Sequence, residues 1–179
     1  MIGADKKYGE TARLVLRSWR KEDVKPFAVM NSDPRVMKWF PAPLTEEETK
    51  SFYGRIVNGF ERNGWGLYAV ELKATGRFAG YVGLHEIGFE ASFSPGVEIG
   101  WRLAADCHNQ GYATEAAEVV LTLARELGMK TLYSFTAVAN GPSERVMQKI
   151  GMKKAGEFNH PGLPADSPLL RHVLYRIDF

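Results

Sequence analysis

Residues 108–116 read HNQGYATEA and connect a predicted strand to a strongly amphipathic helix. A turn of small residues that leads into a helix leaves several backbone N–H groups without helical partners, all pointing the same way. The helix dipole adds partial positive charge at the same place. The segment therefore predicts a binding site for a phosphate or pyrophosphate group.

The composition indicates an ordinary folded domain with few special requirements. The chain has 179 residues, of which 45% are hydrophobic and 12% aromatic, and this is enough for the core of one domain spanning 1–179. We expect residues 1–10, which are polar and charged, to be flexible. The net charge is only +2, with both signs interspersed, and this argues against a nucleic-acid partner or a membrane-surface patch.

The chain carries no sequence signal for export or for a metal. Cys107 is the single cysteine, so an internal disulfide is excluded and a reducing compartment is favoured. No apolar run approaches the roughly 20 residues of a membrane span, and the N-terminus lacks a signal-peptide core. We therefore expect a cytoplasmic protein. The four histidines and the cysteine lack metal-ligand spacing, so we predict no metal.

The order of predicted elements is typical of a mixed sheet covered by helices, in the α/β (α+β) class. Strands are predicted at 11–18, 65–73, 77–87, 97–103, 131–138, 153–158 and 170–178. Helices are predicted at 23–31, 45–63, 112–127 and 142–150, with a further helical turn opening at Asp33-Pro34. Thr45 followed by Glu48 has the form of a capping box.

Three segments, in this order, resemble the GNAT N-acetyltransferase superfamily, specifically its RimJ/RimL-like branch of ribosomal-protein N-terminal acetyltransferases. They are GYVGL at 80–84, VEIGWRL at 97–103 leading into QGYATEA at 110–116, and Asn140 followed by Ser143, Val146, Lys149 and Gly151-Met152. The family's phosphate loop, Gln/Arg-x-x-Gly-x-Gly/Ala, falls on His108, Gly111 and Ala113. The resemblance implies a mostly antiparallel sheet, splayed between the fourth and fifth predicted strands.

The resemblance also implies acetyl-CoA as cosubstrate. Its pyrophosphate would bind the backbone N–H groups of the loop, and its pantetheine arm would enter the gap between the splayed strands. A backbone N–H near Trp101 would polarise the thioester carbonyl. The residues expected along the cofactor are Trp101, Arg102, Leu103, His108, Asn109, Gln110, Gly111, Tyr112, Ala113, Thr114, Asn140, Ser143 and Met147.

The implied reaction is direct attack by a primary amine within a ternary complex. Glu98 is the candidate base, with a purely structural role as the alternative. Many relatives carry a tyrosine as general acid where this chain has Met147, and strand 131–138 contains no carboxylate. Protonation of the leaving thiolate therefore falls to Ser143 or to water, unless Ser143 only caps its helix. His108 replaces the usual Gln or Arg, and we interpret it as a solvated loop residue.

The acceptor is the least determined part of the interpretation. The resemblance implies that Trp39 or Phe40 reaches the acceptor groove, and His85 is a further candidate. The amine would belong to a protein or peptide N-terminus or to a small molecule. The alternative function is a non-catalytic acyl-CoA-binding or sensing module, favoured by the missing tyrosine. A homodimer is one option for assembly.

Overall fold

The fold is built on one eight-stranded sheet, in a computed structural model that describes residues 6–179. The strands are β1 (Lys7–Glu10), β2 (Leu14–Arg17), β3 (Leu67–Leu72), β4 (Arg77–Glu86), β5 (Val97–Leu103), β6 (Thr131–Ala137), β7 (Lys153–Asn159) and β8 (Arg171–Asp178). The helices are α1 (Val24–Ser32), α2 (Glu46–Asn63), α3 (Tyr112–Glu126) and α4 (Gly141–Lys149). The strand order is β1-β2-β3-β4-β5-β6-β8-β7.

The sheet opens between β5 and β6. All other neighbouring strands pair antiparallel, whereas β5 and β6 run parallel and share a single register pair, Glu98 with Tyr133. That pair lies near the start of both strands, so the gap widens toward their carboxyl ends. The predicted splay is confirmed. The two strands, predicted as the fourth and fifth, are numbered fifth and sixth here because β1, which was not predicted, precedes them.

The two faces of the sheet carry separate cores. On one face, α3 buries Ala116, Val120 and Ala124 against β4 and β5, as the spacing of four residues along a helix dictates. On the other face, α1 and α2 bury a second cluster that includes Phe27 and Ile56. The opening between β5 and β6 therefore connects two differently built sides of the molecule.

The boundaries of α2 follow from local hydrogen bonds. The Thr45 hydroxyl accepts from the Glu48 N–H at 3.2 Å, and the Glu48 carboxylate accepts from the Thr45 N–H at 2.7 Å, so the predicted capping box is confirmed. Gly64 ends the helix with a left-handed φ of 75°, which a residue without Cβ adopts at little cost. The predicted helix 45–63 therefore forms as expected.

One expectation for the N-terminal third is wrong. Lys7–Glu10 are not flexible, because they form β1 and pair with β2; residues 1–5 lie outside the described part of the chain. At Asp33-Pro34 a single helical turn forms, in which the Met37 N–H donates to the Asp33 carbonyl at 3.0 Å. The Asp33 side chain accepts from the Arg35 N–H at 2.9 Å, as the residue before a helical turn commonly does. Within residues 6–179, no helix is both long and apolar enough to cross a bilayer.

Candidate active site

A cleft of about 1100 Å³ opens at the gap between β5 and β6. Its lining combines the amino-terminal ends of α3 and α4, the ends of the splayed strands, and the α1–α2 side of the sheet. Seventeen positions were predicted from sequence for the cofactor, catalysis or the acceptor. All of them line this one cleft except Gln110, whose side chain folds back to donate to the Asp106 carbonyl.

The loop before α3 presents free backbone donors to the cleft. Asn109 and Gly111 have positive φ values of 58° and 82°, and Gly111 stands at the N-cap without a side-chain cap. The first helical bond is donated by the Glu115 N–H to the Gly111 carbonyl at 3.0 Å. The N–H groups of Tyr112–Thr114 precede that bond and have no helical partner. This arrangement suits an anion.

An ion pair supports the same loop from behind. The Arg13 guanidinium lies 2.6 Å from the Glu115 carboxylate and 4.4 Å from the centre of the Tyr112 ring. Burial opposes ionisation of Glu115, but hydrogen bonds from Thr11 and Arg13 together hold its pKa below the usual value. The carboxylate in the first turn is thereby neutralised by Arg13, and the helix end stays available to an anion.

His108 is exposed but not free of the protein. Its Nε2 lies 2.9 Å from the carbonyl oxygen of Leu103, the last residue of β5. This contact joins the phosphate loop to the edge of the gap. His108 is thus an exposed loop residue, as interpreted from the sequence, whose ring is also held by the main chain.

Alternate residues of β5 face opposite sides of the sheet, as in any strand. Ile99 and Leu103 belong to the core under α3, and Trp101 packs on the same core. Glu98, Gly100 and Arg102 face the α1–α2 side, where the Arg102 guanidinium lies 4.1 Å from the ring centre of Phe40. The loop before α3 and the Glu98 carboxylate thus face the same cleft from opposite faces of β5.

Glu98 forms an ion pair with His85, its cross-strand neighbour on β4. His85 Nε2 lies 3.0 Å from one oxygen of Glu98, and His85 Nδ1 lies 3.2 Å from the Glu86 carbonyl. Burial disfavours the charged ring, but the negative charge and hydrogen bond of Glu98, with the Glu86 carbonyl, raise the pKa of His85 to about 9. His85 is therefore an imidazolium at neutral pH.

The second oxygen of Glu98 is directed elsewhere. A Cβ atom built on Gly100 would lie 3.7 Å from Glu98 Oε1 and 3.9 Å from His85 Nε2. Glycine at position 100 thus leaves a small open space beside the ion pair. That space lies on the α1–α2 side of β5, next to the gap.

Asn140 and Ser143 form a hydrogen-bonded group at the start of α4. Asn140 Oδ1 accepts from the Ser143 N–H at 3.3 Å, while Asn140 Nδ2 donates to Thr136 Oγ1 at 2.8 Å and to Ser143 Oγ at 3.1 Å. Trp101 Nε1 also donates to Ser143 Oγ at 3.3 Å. The Asn140 side chain is therefore occupied as the helix cap, and Ser143 Oγ already accepts two bonds.

The other predicted residues differ in how they meet the cleft. Met147 is 1% exposed and belongs to the main core, so it offers a thioether surface and no proton. Phe40 is 37% exposed, and Trp39 is half-buried beside Lys38. Both aromatic residues predicted for the acceptor side line the cleft.

Sequence reasoning missed the wall contributed by the β7–β8 region. His160 and His172 lie 5.0 Å apart between ring centres and pack among the rings of Phe89, Phe135 and Phe158. Burial lowers the pKa of both histidines, only partly opposed at His160 by the charge of Glu98. The available signal was the spacing of two residues between Phe158 in β7 and His160 just after it, because residues two apart in extended chain lie on the same face.

The part of the chain that the structure describes holds no cluster of three or more His, Cys, Asp or Glu side chains suited to a metal ion. The cleft instead combines a helix end whose first N–H groups lack helical partners with a carboxylate–histidine pair. This layout suits the transfer of a group from an anionic donor to a nucleophile.

The chain belongs to the acetyltransferase (GNAT) family, whose domain description matches residues 13–153. It is 31% identical over 150 residues to the uncharacterized N-acetyltransferase YnaD of Bacillus subtilis, covering 83% of this chain and 84% of the relative. A GNAT-family acetyltransferase of Bacillus anthracis superposes with a TM-score of 0.78 at 28% identity, covering 94% of this chain and 96% of the other.

The fold is also similar to that of RimL, a ribosomal alpha-N-protein acetyltransferase solved in complex with coenzyme A. That comparison has a TM-score of 0.80 at 15% identity and covers 97% of this chain and 98% of RimL. The expected family is confirmed, and with it an acyltransferase that catalyses acetyl transfer. The family membership disfavours the alternative of a non-catalytic binding module.

Proposed function

We propose that the protein transfers the acetyl group of acetyl-CoA to a primary amine, by direct attack within a ternary complex. The amine nitrogen forms a bond to the acetyl carbon, the carbon–sulfur bond breaks, and coenzyme A leaves as a thiolate that takes up a proton. One observation supports this best: an anion-binding loop and a carboxylate–histidine pair open into one cleft where β5 and β6 separate.

The donor would lie between the loop and the strand gap. The pyrophosphate fits the N–H groups that precede the first bond of α3, where the small side chains of Gly111 and Ala113 allow close approach. The pantetheine arm fits the gap, because β5 and β6 leave backbone groups unpaired beyond Glu98 and Tyr133. The thioester carbonyl would accept a bond from a backbone N–H near Trp101.

Glu98 would accept the proton of the attacking amine. An α-amino group has a pKa of about 7.7–8.0, so little assistance suffices near neutral pH. One carboxylate oxygen is held by His85, and the other faces the space above Gly100. His85 would hold the carboxylate in place and, as a cation at neutral pH, would also disfavour an ammonium form of the bound amine.

Ser143 would return a proton to the leaving thiolate. Its oxygen accepts from Trp101 Nε1 and Asn140 Nδ2, so its own hydrogen is left to point elsewhere. The same two donors stabilise negative charge on the oxygen when the proton leaves. This supports Ser143 over Met147, which has no proton to give.

The acceptor class follows less directly. Two classes of acceptor fit the cleft: a protein or peptide N-terminus, which the name of RimL gives for that protein, and a small free amine. Trp39, Phe40, His160 and His172 line the cleft on this side. The test is thiol release from acetyl-CoA with a panel of peptides and small amines, with the products identified by mass. Acceptor-dependent release with one acetyl group added supports the proposal. Tight acetyl-CoA binding with no release for any amine contradicts it.

The role of Glu98 has its own test. Glu98→Gln should lower kcat near pH 7 more than at high pH, where the amine loses its proton unaided. Glu86→Gln is the matched control, since it removes the adjacent exposed carboxylate and leaves the ion pair intact. A pH–rate profile like that of the unmodified protein would remove Glu98 from the mechanism.

A further inference from the structure

Arg102 is a buried cation without an anionic partner. It is 8% exposed, its Nη1 donates to Asn31 Oδ1 at 2.7 Å, and its Nε has no hydrogen-bond partner among the residues that the structure describes. Within residues 6–179, no carboxylate lies within ion-pair distance of it. Arg17, which is similarly buried, binds Asp23 and Glu71, both at 2.7 Å. A buried charge is costly unless it is paired, so the two arginines have different roles.

The surroundings of Arg102 suit an anion that arrives from the cleft. Its guanidinium lies 4.1 Å from the ring centre of Phe40 and 5.6 Å from those of Phe52 and Tyr81. These rings exclude water, and an ion pair formed there is stronger than one in solvent. The cation–π contacts stabilise part of the charge of Arg102 but leave some of its N–H donors without acceptors in the described part of the chain.

A second arginine lies near the same Phe52 ring. The Arg55 guanidinium is 5.4 Å from the Phe52 ring centre, lines the same cleft, and donates to Ser51 Oγ at 3.1 Å. The part of the chain described here offers it no carboxylate either. Within residues 6–179, two guanidinium groups without anionic partners thus lie within about 6 Å of one aromatic ring, Arg102 buried and Arg55 exposed.

The position of Arg102 on β5 places the Arg102–Arg55 pair near the site proposed for the reacting amine. Glu98, Gly100 and Arg102 lie on the same face of β5, because side chains alternate along a strand. Successive residues on one face are about 7 Å apart, so Arg102 lies about 7 Å along the strand from the open space at Gly100. An amine held at that space would present its remaining atoms toward Arg102.

We propose that the acceptor is a primary amine that also carries an oxyanion, a carboxylate or a phosphate, bound by Arg102 and Arg55. This inference rests on the proposed acetyl transfer and adds the acceptor's second charge. Two charge-assisted hydrogen bonds from Arg102 to the oxyanion would fix the orientation of the amine toward the Gly100 space. Recognition by a buried guanidinium would also disfavour acceptors that lack the oxyanion.

The test compares matched acceptors with the full chain. The first pair is an ω-amino carboxylic acid and its amide, and the second is an aminoalkyl phosphate and the parent amino alcohol. We expect kcat/KM to be about tenfold or more higher for the charged member of at least one pair. The pair with the larger ratio identifies the oxyanion. Equal kcat/KM within both pairs overturns the inference while leaving acetyl transfer intact, whereas no thiol release with any amine contradicts the proposed function itself.

Variants separate recognition from a structural role. Arg102→Gln keeps an N–H donor for Asn31. It should reduce the ratio of kcat/KM for the charged acceptor to kcat/KM for the neutral acceptor to about one, through a higher KM for the charged acceptor. Arg55→Gln, at an exposed position that does not endanger folding, should reduce the same ratio by a smaller factor. Arg35→Gln is the control, because Arg35 lines the cleft but is already paired with Asp33 at 2.7 Å. Loss of activity toward charged and neutral acceptors alike in both test variants would contradict recognition.

Discussion

Replacing Glu98 with glutamine should move the titration of His85 from the alkaline range to neutrality or below. In the unmodified protein, burial lowers the pKa of His85, and the charge and hydrogen bond of Glu98 outweigh it to give about 9. Glu98→Gln removes the charge and leaves the burial and the Glu86 carbonyl. The pKa of His85 should then fall to the ordinary 6.5 or lower.

Glu98→Gln should also change how the free energy of unfolding varies with pH, and the direction of that change follows from the linkage between protonation and folding. The pKa of His85 is higher in the folded protein than in the unfolded chain, so the ion pair stabilises the fold fully below pH 6.5. That contribution is lost as the pH rises from 6.5 through about 9. The difference in free energy of unfolding between the unmodified protein and Glu98→Gln should therefore narrow over this interval.

Two measurements check the argument. NMR titration of the histidine ring signals gives the pKa, with His85→Gln used to assign the His85 resonance. Urea unfolding from about pH 6 to about pH 10 gives the free-energy difference. Glu86→Gln, which changes an exposed carboxylate paired with Arg62, should leave His85 titrating in the alkaline range. If His85 still titrates near 9 in Glu98→Gln, the ion pair is not the cause and the reasoning fails.

Three further outcomes are expected elsewhere in the molecule. Gly111→Val should weaken acetyl-CoA binding at least about tenfold by calorimetry, because a side chain there would block the approach of the pyrophosphate to the backbone N–H groups. Gly128→Val is the control for backbone strain alone, since its φ of +76° is close to the +82° of Gly111 and open space surrounds it. Equal affinity of the two variants for acetyl-CoA would exclude the loop as the pyrophosphate site. Asp23→Ala should destabilise the fold by about 2 kcal/mol in urea unfolding, because it removes one of the two carboxylates that pair with the buried Arg17 and leaves only Glu71; a loss under about 0.5 kcal/mol would contradict this. Ser143→Ala should lower kcat about tenfold or more with the KM for acetyl-CoA unchanged, and an unaltered kcat would assign the proton to water.

Much of the donor side could be predicted because it depends on neighbours in sequence. The turn before α3 needs Gly111 for its left-handed backbone, and the stripe of small and apolar residues after it can form only a helix packed on a sheet. The same holds for the Thr45 capping box and for the left-handed Gly64 that ends α2. Such features are set by hydrogen bonds within a few residues and need no distant partner.

The acceptor side depended on residues that meet only through strand register. His85 and Glu98 pair because β4 and β5 place them opposite each other. The polar and charged β1 was mistaken for the same reason. It forms by pairing with β2 at the edge of the sheet, and its own sequence does not show that partner.

The sequence by itself determined the helix end that suits a donor phosphate, the order of the elements and the family to which they belong. Only the tertiary structure decided that Arg102, predicted along the cofactor, turns its guanidinium to the opposite face, and that Trp101 donates to Ser143 across the gap. The physical reason is that an N–H cradle is local, whereas the face and the partners of a side chain follow from long-range pairing and burial.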